Sequence, residues 1–407
     1  MSKNHISIFM PSLRGGSATK QSRIWQSNLL VLIVFLLLSS CKPHSQGNQT
    51  TKSQCIKKYS LPVKYAKGFS VDYYDAFKVI TVKDLKDTTK ILGQYVLSRP
   101  NKPIPVGFES AEKIDIPVGK TVCVSTTTVG EMAVLNLADS VAAVTDADLI
   151  YNEAIIAKLK SNQIADVGHQ EINYEKLVEL RPAFVFTSGG YDGGDKLQLK
   201  LTALHIKSVL DLEYKEQNPL GRAEWIKFIA AFYNREELAD SLFNHIEAHY
   251  NSLKALAESA NEKPTIFCNL PFKEIWYMPC GENYISQLIE DAGGNFLWKD
   301  ATATNGLNLN LDYEAVYNKA GQADFWINTG FAASLKDIKA ADSKNALFKA
   351  YKTGKVYSNN KRNTKAGGFD FWGSGAVSPD EILADLITIF HPDLMKGHEL
   401  YYYQKLK

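Results

Sequence analysis

Three kinds of side chain in this 407-residue chain could do chemistry: histidines, cysteines and a serine set among glycines. Hydrolysis would need an activated nucleophile or a bound metal. The sequence holds no Gly-x-Ser-x-Gly, no His-Glu-x-x-His and no Cys-x-x-Cys. Gly373-Ser374-Gly375 brings its glycines too close for a nucleophile elbow. Its continuation, Ala376-Val377-Ser378, lacks the third glycine of a dinucleotide loop and follows no clear strand. An exported enzyme is therefore only a remote alternative. Of eight histidines, His5 and His44 lie near the N-terminus, and His205, His245, His249, His391 and His398 fall in helical or terminal stretches. Only His169 stands in a promising loop, and one imidazole does not make a metal site. No metal and no cofactor are expected. Cys55, Cys123, Cys268 and Cys280 are scattered and form no disulfide framework. Cys268 and Cys280 flank Pro271-Phe272-Lys273-Glu274, which reads as a hairpin turn; a bridge across it and a pair of buried thiols both remain open.

The fifth cysteine, Cys41, is the most telling. Residues 1–28 carry Lys3, Arg14, Lys20 and Arg23 with no acidic residue, and ten apolar residues follow, Leu29 to Leu38. Such a helix reaches only about 15 Å, half of a ~30 Å hydrocarbon core, so it signals export and does not span. Leu38-Ser39-Ser40-Cys41 resembles the lipobox of bacterial lipoproteins, in which the cysteine is lipidated and becomes the new N-terminus. Loss of residues 1–40 changes the formal charge from +2 to −2 and leaves 367 residues, enough for two lobes. No basic excess points to nucleic acid. Residues 42–58 are polar and aperiodic, a flexible tether without the acidic run associated with surface export. The expected location is a lipid anchor at Cys41 facing the periplasm.

The elements that must position any site follow from hydrophobic periodicity. Gly68–Val71, Phe77–Val82 and Ile91–Leu97 are β-branched or aromatic runs, and the connector after them, from Arg99 to Pro117, holds four prolines. From Thr121 strands alternate with helices: Val122–Val124, a helix over Val129–Ala138, Val141–Val144, a helix over Asn173–Leu180, and Ala183–Phe186. Leu242, Ile246, Tyr250, Leu253 and Leu256 predict a helix of about 24 residues, some 36 Å long, separated from a shorter one at Asn234-Arg235. Alternation then resumes with Thr265–Cys268, Tyr284–Ala292, Asp312–Lys319 and Asp324–Asn328. The reading is α/β: two lobes with mostly parallel sheets joined by one long helix, with an extra N-terminal β-rich segment. Its boundaries are a signal over 1–40, a tether over 41–64, a β-rich leader and connector over 65–120, lobes over 121–233 and 263–407, and a linking helix over 234–262.

Val167-Gly168 with Asn173-Tyr174-Glu175-Lys176-Leu177-Val178-Glu179-Leu180-Arg181-Pro182 resembles a motif of periplasmic solute-binding proteins for ferric siderophores, haem and cobalamin. Tyr284–Asn295, Leu311-Asp312-Tyr313-Glu314-Ala315-Val316 and Gly354-Lys355-Val356-Tyr357 follow in family order, so the resemblance covers roughly residues 120–392. It implies a ligand cleft between two lobes bridged by a stiff helix, a monomer, and delivery to the permease and ATPase subunits of an ABC importer. It also implies that one carboxylate on each lobe, Glu175 and Glu314, docks onto permease arginines. Exposed carboxylates on separate lobes would give a two-point contact sensitive to lobe spacing.

In such a fold, loops at strand ends face the cleft. They carry His169, Tyr191, Trp276, Tyr277, Phe371 and Trp372 as ligand-binding candidates. Aromatic faces suit a large planar or macrocyclic ligand. Arg362, with Lys361 and Lys365, would attract an anionic complex. That leans the ligand toward an iron complex, ferric siderophore or haem, with cobalamin as the alternative.

Overall fold

The computed structural model describes residues 55–168, 171–189, 194–304 and 306–407. Cys41, His169 and Tyr191 lie outside the described residues. The leader forms a five-stranded sheet in order β1-β2-β3-β4-β5: Tyr59–Ser60, Phe69–Tyr73, Phe77–Lys83, Ile91–Ser98 and Glu112–Asp115. Neighbours are antiparallel except β4 and β5, which run parallel. Two differences from expectation stand out here. The proline-bearing connector contributes a strand, because Glu112–Asp115 follows its first three prolines and pairs freely with Tyr95–Ser98. The expected tether is ordered well before residue 64: Tyr59 and Ser60 pair with Tyr73 and Asp72, and Leu61 is buried.

The first lobe is a parallel sheet in order β10-β9-β6-β7-β8. Along the chain it runs β6 (Thr121–Cys123), α1 (Thr126–Val134), β7 (Val141–Val144), α2 (Glu153–Lys160), β8 (Ala165–Asp166), α3 (Tyr174–Leu180), β9 (Val185–Thr187), α4 (Gly194–Ala203) and β10 (Ser208–Leu210). Three helices follow: α5 (Pro219–Glu224), α6 (Ile226–Tyr233) and α7 (Glu236–Glu258). Asn234, between α6 and α7, takes a left-handed conformation at φ 53°, which ends α6 and turns the chain. Helix α7 has 23 residues and spans about 35 Å. Its buried stripe is Ala239, Phe243, Ile246, Tyr250, Leu253 and Ala257, in steps of three and four. Leu242 and Leu256 sit at the margin of that stripe, one position away from its centre.

The second lobe has three strands in order β13-β11-β15, all parallel. It comprises β11 (Thr265–Cys268), β12 (Trp276–Pro279), α8 (Tyr284–Asp291), β13 (Asn295–Phe296), β14 (Asn308–Leu311), α9 (Tyr313–Ala320), β15 (Phe325–Ile327), α10 (Leu335–Ala341), α11 (Lys349–Lys352), β16 (Tyr357–Ser358), α12 (Pro379–Phe390) and β17 (Gln404–Lys405). Cys268 and Cys280 are free and buried. The expected turn is present, with Phe272 and Ile275 bridged antiparallel around Lys273 and Glu274, both at positive φ. It does not pair the flanking strands: β11 pairs in the parallel sheet and β12 pairs antiparallel with β14.

Buried carboxylates join these parts. Glu224, with no exposure, accepts hydrogen bonds from the backbone N–H groups of Lys64, Tyr65 and Ala66 at 2.7–3.0 Å. It also pairs with buried Lys227 at 3.2 Å. Glu216 accepts from the N–H groups of Lys67 and Gly68 and from the Trp225 indole. An aromatic chain runs alongside, from Phe69 through Trp225, Phe228 and Phe232 to Phe184 of the first lobe. Replacing Glu224 by alanine would strand three backbone donors and leave buried Lys227 with only Asp240 and the Pro62 carbonyl. The expected cost is about 3–5 kcal/mol, read as a lower urea midpoint; a loss below about 1 kcal/mol would show the clamp to be dispensable.

Candidate functional site

The cleft lies where the loop over residues 362–375 meets the first lobe. Two pairs of backbone segments touch across it. A Cβ on Gly368 would fall 2.0 Å from the carbonyl oxygen of Leu149, and one on Gly130 would fall 2.7 Å from that of Gly373. Only glycine permits such approach. The Thr127 hydroxyl adds a hydrogen bond to the Trp372 carbonyl at 2.8 Å. These contacts divide the cleft into two adjoining cavities of about 430 and 230 Å³, both lined by Thr126, Leu149 and Phe369.

The larger cavity is aromatic and amide-lined. Phe331 is 79% exposed and packs on Phe369 at 5.1 Å, while Trp372 and Tyr277 are 41% and 39% exposed on the same wall. Asn269 and Asn328 follow directly on β11 and β15, both with positive φ, so each turns its strand end toward the cavity. Asn269 donates to the Tyr277 carbonyl at 2.7 Å, and Asn328 accepts from the Tyr403 hydroxyl at 2.7 Å. Asn359 also lines the cavity and carries a buried amide oxygen with no partner among the described residues.

Several expected site residues are placed elsewhere. Trp276 is wholly buried: alternation on β12 turns it into the second-lobe core against Phe267, Trp326 and Phe348, with its indole N–H bonded to the Cys268 carbonyl at 2.8 Å. Phe371 is buried against Tyr402 and Tyr403. Neither presents a face to ligand. Arg362 is no free cation, because its Nε donates to Asp370 at 2.7 Å and its guanidinium lies 4.7 and 4.2 Å from the rings of Tyr151 and Tyr401. It latches the loop, and Lys361 is engaged with the Leu400 carbonyl. Among the described residues lining the cavities, Asp370 is the one charged side chain, and Arg362 neutralises it. Phe331 and the three asparagines were missed in the sequence. The repeated signal Phe267-Cys268-Asn269 and Trp326-Ile327-Asn328, an apolar strand ending in asparagine, marked two of them.

Glu175 and Glu314 occupy equivalent exposed positions, each the second residue of a short helix. The caps are also alike: Asn173 accepts from the N–H of Lys176, and Asp312 from that of Ala315.

A family model described as periplasmic binding protein matches residues 121–362. The chain belongs to that family. Its members are solute-binding proteins and not enzymes; those of ABC transporters bind small ligands and work with permease and ATPase subunits. An uncharacterized lipoprotein of Methanocaldococcus jannaschii is 29% identical over 93% of this chain and 95% of its own length. Among solved structures, the periplasmic haem-binding protein HutB of Vibrio cholerae superposes with a TM-score of 0.53 at 15% identity, covering 67% of this chain and 99% of that one. An ABC transporter substrate-binding protein of Listeria monocytogenes gives 0.51 at 15% identity, over 68% and 99%. The two-lobe α/β architecture of this binding protein is thus the architecture of its family.

Behind the cleft, α1 presents Glu131 to a buried acidic group. Asp211 accepts from the Thr128 hydroxyl at 2.8 Å, and Glu213 pairs with buried Arg222 at 2.6 Å. Arg222 in turn stacks 4.3 Å from the ring of Tyr284, carried by the second lobe. Burial, then the neighbouring Asp211 and Glu213, pushes the Glu131 carboxyl well above its ordinary range. Burial likewise raises Glu213 to about 7 against the opposing pull of Arg222. Between their unfolded and folded pKa values, the folded protein binds more protons than the unfolded one. Stability therefore falls as pH rises from about 4.5 through 7. Glu131→Gln removes one titrating group, so the plot of melting temperature against pH should lose part of that decline. An unchanged slope would place the titration elsewhere.

Proposed function

We propose that this lipoprotein is the substrate-binding component of an ABC importer and captures a metal chelate between its lobes, in the first place an iron complex such as a ferric siderophore or haem. The observation that carries this reading is the larger cavity, about 430 Å³, walled by Phe331, Phe369, Tyr277 and Trp372. Aromatic faces bind a broad, largely apolar ligand by stacking, and the volume falls within the ~300–1,000 Å³ usual for small-molecule sites. The likeness to a haem-binding protein supports an iron complex. The neutralised Arg362 favours a complex of low net charge over a polyanion.

A corrinoid is the second reading, and one observation favours it. The buried, unpartnered amide oxygen of Asn359 calls for a ligand N–H donor, which the peripheral primary amides of a corrinoid supply. Titration of the purified protein with haem, ferric siderophores and cobalamin, followed by tryptophan quenching, separates the two. No saturable response to any of them would sink both. Trp372→Ala and Tyr277→Ala should each weaken the bound ligand about ten-fold with little change in melting temperature. Phe371→Ala should instead lower stability by about 3–5 kcal/mol.

Lipidation at Cys41 would hold the protein at the membrane with its cleft facing the periplasm, at high effective concentration near its permease. Glu175 and Glu314 would supply the docking charges. Glu175→Arg combined with Glu314→Arg should leave ligand affinity intact and abolish uptake by cells. Normal uptake by the double variant would refute the docking role.

A further inference from the structure

Away from the cleft, α7 and the first turn of α12 bring three potential metal ligands together. They are His249 on α7 and Asp380 and Glu381 on α12, whose donor atoms all lie within 4.8 Å of one another. Two acidic residues at a helix N-terminus are explained by the helix dipole alone. Two further observations are not. His249 reaches across from the other helix to place its Nδ1 2.8 Å from Asp380 Oδ2. The second oxygen of that carboxylate, Oδ1, is buried with no hydrogen-bond partner among the described residues, in a residue only 5% exposed. A buried carboxylate oxygen without a donor is unfavourable, and a cation against it removes that penalty.

We propose that His249, Asp380 and Glu381 form a binding site for a divalent transition ion of the zinc type. One imidazole and two carboxylates suit Zn²⁺ and its first-row neighbours better than Ca²⁺ or Mg²⁺, which prefer all-oxygen sets. The 2.8 Å hydrogen bond between Nδ1 and Oδ2 would need to lengthen by only about 0.6 Å to reach the ~3.4 Å that separates donors around a tetrahedral ion with bonds of about 2.1 Å. The His249 side chain is 42% exposed, so an ion can enter from solvent and water can complete its coordination. Bound there, the ion cross-links the long linking helix to α12. The preceding residue pair, Val377 and Ser378, lines the smaller cleft cavity, so the ion braces the cleft wall from behind.

The test uses full-length protein in detergent, stripped with a chelator and titrated with ZnCl₂ by calorimetry, with Co²⁺ absorption as a spectroscopic check. Wild type should bind one Zn²⁺ per chain and melt several degrees higher with it. His249→Ala and Glu381→Gln should each lower affinity about ten-fold or more and lose the melting shift. Both side chains reach solvent, so these variants should fold, and their unliganded melting temperatures check that. His245 lies one turn before His249, its ring 6.5 Å away, and His245→Ala should bind as wild type does. Two results would overturn the site. One is Zn²⁺ binding that neither His249→Ala nor Glu381→Gln weakens, or no binding at all. The other is binding lost in His245→Ala and kept in Glu381→Gln, which would put the ion on a two-histidine helix face.

Discussion

Glu224 is the joint on which the molecule turns. A carboxylate shut away from water must be fully satisfied, and this one is met by three successive backbone N–H groups and the ammonium of Lys227. That requirement fixes where the leader crosses the helical centre. Glu216 repeats the device at the next two residues. With the leader's entry set, Phe69 reaches Trp225, and the aromatic chain carries the packing onward to the first-lobe sheet. The same centre hands the chain to α7 and so to the second lobe. The leader is thus part of the core, built into it by polar contacts as much as by apolar ones.

Much of the architecture could be read from the sequence because its signals are local. Strand runs such as Phe77–Lys83 and Val141–Val144 announce themselves by β-branched residues, and the break at Asn234 follows from a residue that tolerates positive φ. What escaped was non-local. Glu112–Asp115 looks like a polar turn and becomes a strand only because β4 offers it an edge. Residues 59–64 read as tether because the Glu224 carboxylate that holds Lys64 lies 160 positions away.

The site was legible by neighbourhood and not by side chain. The aromatic loops do border the cleft, yet period-two alternation turns Trp276 inward beside exposed Tyr277, and the loop's own folding buries Phe371 beside exposed Trp372. Sequence shows that one of two neighbours faces out; packing decides which. Arg362 carries the same lesson for charge. It resembled a lure for anions, but Asp370 stands eight residues on and claims it. The cavity that results is lined by rings and amides, and its polarity comes from dipoles.

The contact of Gly368 with the Leu149 carbonyl has one more implication. The lobes meet there main chain to main chain, with the Thr127 hydroxyl on the Trp372 carbonyl and Arg362 on the Tyr151 ring beside the seam. The ring faces around the cavity can then be changed without touching the backbone approaches that form the seam. What the pocket prefers and how near the lobes lie are held by different parts: the first by Tyr277, Phe331 and Trp372, the second by glycines where a Cβ would collide with the facing carbonyl.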